Sequence, residues 1–151
     1  MDIFSIVASA TALATTIGKL SITLIEFAHR VQASRHDIGL VKRELVSLKD
    51  TLDYLTGDLS EVENGDRVLP SFVSQLMGII TGCESVVEEI ERTISQFGTG
   101  GLITRAQWAT MGHGDMEKLR SSLEAHKMAL AIGLDMLLLW VFLLLGIAHF
   151  G

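Results

Sequence analysis

The chain has 151 residues, a formal net charge of −6, one cysteine, one proline and 48% hydrophobic residues, of which few are aromatic. A single Cys83 excludes a disulfide framework or a cysteine-based metal cluster within the chain. The apolar content excludes disorder, the scarcity of aromatic and β-branched runs disfavours an all-β fold, and the acidic balance gives no support to nucleic-acid binding. The mean hydropathy of +0.41 is high for an acidic domain. The excess lies at the C-terminus, where Met136–Ala148 has no polar side chain except the Trp140 indole, with a smaller share near the N-terminus.

The first predicted helix runs from Ile3 to about Val31. Its apolar residues Ile3, Val7, Ala10, Leu13, Ile17, Leu20, Leu24, Phe27 and Val31 recur at three- and four-residue steps. Asp2 is a candidate cap. A second helix starts at Ser34, where Ser34-Arg35-His36-Asp37 resembles a capping box. Its residues Ile38, Val41, Leu45, Leu48, Leu52, Leu55 and Leu59 alternate steps of three and four, the seam of coiled-coil-like packing. Charged residues cover its other faces.

Asn64-Gly65-Asp66 is a turn signal, and Pro70 suits the first turn of a third helix. Its apolar stripe is Phe72, Leu76, Ile79, Cys83, Val86, Ile90, Ile94 and Phe97; Gly98 and Gly100-Gly101 end it. The segment Leu102–Met111, with Trp108, is expected to plug one end of a bundle. A fourth helix starts near Asp115. Its first half is amphipathic, with Met116, Leu119, Leu123, Leu130 and Leu134 on one side, and its second half is apolar all round. The expected fold is all-α: an antiparallel four-helix bundle of long helices over residues 1–135, the last helix continuing into an apolar C-terminal segment.

Residues 128–150 would form roughly 34 Å of helix, enough for a bilayer core of about 30 Å. The apolar side chains outweigh Asp135, the one ionisable group before His149, on insertion scales. A C-terminal transmembrane helix is therefore expected, with Leu137, Leu138, Leu139, Trp140, Val141, Phe142, Leu143, Leu144, Leu145 and Ile147 as membrane residues. The bundle would then be tail-anchored and cytosolic, and cytoplasmic if the tail is not inserted. Ile3–Gly18 is uncharged but short and rich in Ser and Thr, so it reads as a core helix.

No constellation of nucleophile, base and oxyanion donor is present, nor a His-Glu-x-x-His motif or phosphate loop. Cys83 lies on an apolar stripe and reads as packing. Gly78-x-x-x-Gly82 marks a close helix contact. The chain is expected to be no enzyme, with no catalytic, cofactor or metal residues, no nucleic-acid partner and no small-molecule substrate. Its expected partners are a membrane, other protein helices and a second copy of itself, through the helix-two seam or the acidic side of helix three.

The opening Met1-Asp-Ile-Phe-Ser-Ile-Val-Ala-Ser-Ala10, the stretch Asp37-Ile-Gly-Leu through Leu55, and Trp108 with Met116–Met136 together resemble the fungal N-terminal domain of STAND (NLR-like) receptors and ankyrin proteins. That family is also labelled as the N-terminal domain of an azaphilone pigment biosynthesis cluster protein L. The resemblance covers roughly residues 1–137 and rests mainly on apolar patterning. It implies a HeLo-like helical bundle with a signalling or interaction role, in some relatives cell death through release of an N-terminal helix, here Ile3–Leu20. It brings no catalytic residue. The tail from Leu137 onward departs from the pattern. The alternative is a tail-anchored structural or adaptor protein without lytic activity.

Overall fold

The computed structural model describes residues 3–30, 35–61, 70–96, 108 and 113–150, with side chains omitted at a few helix ends and at Val141 and 144–150. Four helices and no strand occur among the described residues: α1 (Ile3–Arg30), α2 (Arg35–Glu61), α3 (Pro70–Gln96) and α4 (His113–Phe150). The boundaries follow local chemistry. His29 and Arg30 lie in the last turn of α1, where they complement the negative end of the helix dipole. Asp37 and Asp115 lie in the first turns of α2 and α4, at the positive end. Pro70 opens α3, at a position with no intrahelical donor to lose. The expected caps Asp2 and Ser34, the turn at 64–66, and the glycine breaks at 98–101 lie outside the described residues.

α1 packs against α2 and α3, and α4 packs against the same two helices. Around the bundle the order is therefore α1, α2, α4, α3, with α2 and α3 on one diagonal. Directions follow from paired residues. Ile25, Ala28 and His29 share a cleft with Ile38, Gly39 and Lys42, and Gly18 lies beside Lys49, so α1 and α2 are antiparallel. His36, Asp37 and Leu40 share a cleft with Met116, Glu117 and Arg120, and Glu44 meets Lys127, so α2 and α4 are parallel. Gly82 meets His126 and Gly133 meets Leu76, so α3 and α4 are antiparallel. Chain-consecutive helices alternate in direction as expected. The α2–α4 and α1–α3 neighbours are parallel, which the sequence did not disclose.

One continuous core fills the bundle. All seven α2 seam residues, Ile38, Val41, Leu45, Leu48, Leu52, Leu55 and Leu59, are buried in it. In α1, Ile6 and Ala14 join the expected stripe, and Val7 is only partly buried. In α3 the core is centred on Val73, Leu76, Ile80, Cys83, Val87 and Ile90, while Phe72 and Ile79 are partly buried at its edge. The apolar arc of α3 is wide, because the helix packs on α1 on one side and α4 on the other. Sequence spacing alone does not locate its centre.

Trp108 is buried and meets Phe27 edge-on, with ring centroids 5.1 Å apart and planes at 66°. Phe27 is near the C-terminal end of α1, so this indole packs at one end of the bundle, as expected for its segment. The rest of Leu102–Met111 lies outside the described residues.

Candidate functional site

Close helix contact marks the α3–α4 junction. A Cβ at Gly82 would come within 2.8 Å of the His126 ring, and one at Gly133 within 2.9 Å of Leu76 Cδ2. Both glycines let neighbouring side chains sit where any larger residue would collide. His126 Nδ1 donates to the Ser122 carbonyl at 2.7 Å, which fixes the ring against Gly82. Of the Gly78-x-x-x-Gly82 pair, only Gly82 makes a close contact; Gly78 has open space around it. On the other flank of α4, Lys127 Nζ donates to Glu44 Oε2 at 2.8 Å, tying α4 to α2 with both groups largely shielded.

The expected membrane residues divide. Leu137 is fully buried in the core. Leu138, Leu139, Phe142 and Leu143 are 47%, 60%, 73% and 50% exposed, and Trp140 is half-buried. The side chains of Val141, Leu144, Leu145 and Ile147 lie outside those described. Upstream in α4, Met128, Ile132 and Met136 are also exposed. The α4 surface therefore changes character along its length. Before Met128 its exposed residues include Asp115, Glu117, Lys118 and Glu124; from Met128 to Leu143 the one exposed charge is Asp135.

The paired contacts bring another uncharged stretch to this end. Residues 3–18 of α1 and 70–83 of α3 carry no charged residue. The Glu44–Lys127 and Leu76–Gly133 registers place the start of α3 level with α4 from Met128 onward, whereas Lys19, Leu20 and Thr23 of α1 share a cleft with Glu91, Ile94 and Ser95 at the other end of α3. At that level Lys49, Asp50, Asp53 and Asp58 of α2 join Asp135 as the described charges of α2, α3 and α4. The α3–α4 side of the bundle is thus polarised along its axis, with its uncharged end formed by the start of α3 and the later part of α4. In the uncharged stretches of α1 and α3, Thr15, Thr16 and Thr81 donate to carbonyls four residues back in their own helices, at 3.0, 3.0 and 2.9 Å. Each hydroxyl proton is thus satisfied within its own helix. Phe4 of α1 is 82% exposed.

Among the described residues α1 is the one helix long and apolar enough to cross a membrane, with a mean hydropathy of 1.5 over its most apolar 18 residues. A third of that stretch is buried, and nine α1 residues face the core. Core helices commonly meet the same criterion.

No group of three or more potential metal-ligating side chains occurs among the described residues. Cys83 is buried, and desolvation together with the charge of nearby Glu84 pushes its thiol up to about 12.

The fold is an all-helical bundle with no strand among the described residues. The chain belongs to the PigL_N family, described as the N-terminal domain of pigment biosynthesis cluster protein PigL, whose profile matches residues 1–141. No curated protein and no solved structure matches the chain. Family membership agrees with the resemblance drawn from the opening segment, α2 and the Trp108–Met136 block.

Proposed function

We propose that this chain is a non-enzymatic helical interaction domain of the fungal N-terminal type, attached to a membrane through the apolar C-terminal part of α4. The observation that carries this reading is the outward side of α4. Leu138, Leu139, Phe142 and Leu143 are exposed, with no other described helix over them and no charge among them. Leaving about four large apolar side chains half-exposed forfeits several kcal/mol of burial free energy, which an acyl-chain environment restores. Cys83, buried and with its thiol held protonated, supports the non-enzymatic part, because the thiolate is the nucleophile.

Carbonate extraction of membranes from cells producing the full chain tests the attachment. The chain is expected to stay with the membrane pellet; its release into the wash overturns the reading.

A membrane-permeabilising role and a non-lytic adaptor role are both compatible with attachment. Burial of α1 favours the adaptor. Releasing α1 would expose Ile6, Leu13, Ile17, Leu20, Leu24 and Phe27, at about 1.5–3 kcal/mol each. That sum is comparable to the whole stability of a domain. Dye release from phosphatidylcholine vesicles separates the two: the folded chain is expected to bind without leakage, and leakage at low protein-to-lipid ratio would favour the permeabilising role.

A further inference from the structure

A span over residues 128–150 needs nearly all of that length, since a bilayer core of about 30 Å takes about 20 helical residues. Yet Leu130 and Leu137 are fully buried in the bundle core, and Gly133 is pressed against Leu76 of α3. The first half of the apolar segment is thus occupied by α2 and α3, and it cannot be sheathed in lipid while the bundle is intact. The outer side of the same stretch is nonetheless apolar.

At 100° per residue, Lys127 points toward α2, where it meets Glu44, while His126 and Gly133 point toward α3. Met128, Ile132, Met136, Leu139 and Leu143 follow at steps of four, four, three and four on the outward arc, centred on its α3 side. Asp135 is displaced toward α2, the side that carries Asp53 and Asp58. Beside this stripe α3 presents half-buried Phe72 and Ile79 and exposed Gln75 and Gly78. The α3–α4 face is therefore free of charge over its lower half, with the charges gathered on the α2 flank.

We propose that this α3–α4 face is a lipid-contact surface, so that the intact bundle lies obliquely in one leaflet with α2 held toward water, and α4 does not cross the bilayer alone. It rests on the membrane attachment proposed for the chain and adds the surface that makes the contact. Lipid suits the face better than a second copy does. Its area is roughly 22 Å of helix length by about 20 Å for two helices, some 450 Å² per partner. A dimer would bury about 900 Å² in total, below the ~1,200–2,000 Å² of stable interfaces.

The test uses the full chain with one added cysteine at Gln75, Ile132, Leu143 or Asp53, labelled with an environment-sensitive fluorophore. Buried Cys83 is left in place. The chain is bound to phosphatidylcholine vesicles and quenched either by nitroxide on the acyl chains or by aqueous iodide. Labels at Gln75, Ile132 and Leu143 are expected to be quenched from the acyl chains, and the label at Asp53 by iodide. If Leu143 alone reports lipid while Gln75 and Ile132 remain open to iodide, the face is wrong and tail attachment stands. If none reports lipid, both fall. If Gln75 and Ile132 are shielded from both quenchers and the sedimenting mass doubles, the face is a dimer interface and the proposal is overturned. In addition, Ile132→Lys is expected to lower vesicle partitioning on the order of 10- to 100-fold, and Asp53→Asn to change it less than twofold. Equal effects of the two substitutions would also overturn it.

Discussion

At the scale of single residues, the two close-contact glycines and the cysteine make the clearest demands. Gly82 and Gly133 sit where a methyl group would strike the His126 ring and Leu76 Cδ2. The ring is pinned by its bond to Ser122 and Leu76 is in the core, so neither neighbour yields freely. Gly82→Ala and Gly133→Ala are each expected to destabilise the fold by about 1–3 kcal/mol, despite alanine's better helix propensity. Gly39 and Gly57 have open space around them in α2. Gly39→Ala and Gly57→Ala are expected to stabilise by about 0.5–1 kcal/mol. Urea melts of the four variants check the contrast in sign. Cys83 supplies a pH dependence. Its thiol ionises near 9 when unfolded and about 12 when folded, so the unfolded chain binds fewer protons between those values. Stability is therefore expected to fall as pH rises from 9 toward 12, by up to about 1.4 kcal/mol per pH unit from this group, and the Cys83→Ala variant should lose that slope. The periodicity of α3 already marked Cys83 as a packing residue. The collision partners of Gly82 and Gly133 were not legible, because they belong to other helices.

At the scale of elements, α4 shows how one run of leucines serves two environments. Leu137 is fully buried, whereas Leu138 and Leu139 are about half exposed. Helical geometry turns successive side chains by 100°, so a run that is apolar in composition still has an inner and an outer side. Leu137→Ala is expected to cost about 2–5 kcal/mol, and Leu138→Ala and Leu139→Ala about 0.5 kcal/mol or less. Equal costs at all three positions would show that the outer side is also packed, and thermal melts decide it. The Glu44–Lys127 pair gives a second handle on α4. Both groups are largely shielded, so Glu44→Ala is expected to cost about 1–3 kcal/mol. Lys49–Asp53, an exposed pair within α2, is expected to contribute under about 0.5 kcal/mol, as measured with Asp53→Ala. The limits of α1, α2 and α3 were legible to within a residue or so from periodicity and punctuation. The inner side of α3 was not, since its wide apolar arc fits several rotations and only the positions of α1 and α4 select one.

At the scale of the whole molecule, the bundle has one core and an axial division of charge. The Glu44–Lys127 pair, the acidic run Glu84–Glu91 of α3 and the first half of α4 occupy one end, and the uncharged stretches of α3 and α4 occupy the other. One core among the described residues is expected to unfold in a single transition, with Trp108 fluorescence, read in a Trp140→Phe variant, and helical circular dichroism changing together. Separate midpoints would show that the Trp108 end melts independently. The seam of α2, which reads from sequence as a surface for another chain, is consumed inside the chain's own core. Oligomerisation through it would require the bundle to open.

The sequence by itself determined the all-helical class, the four helices, the greater part of the core and the concentration of apolar residues at the C-terminus. These depend on local periodicity and on turn residues, which act over a few positions. Only the tertiary structure decided the ring order α1, α2, α4, α3, the parallel α2–α4 contact, and the fact that half of the apolar C-terminal run already has protein around it. Those depend on which helix lies beside which, and the free energies of alternative arrangements of similar apolar stripes differ only through side-chain fit at points such as Gly82 and Gly133. The meeting of the uncharged start of α3 with the apolar part of α4 has the same origin: antiparallel packing sets Leu76 against Gly133.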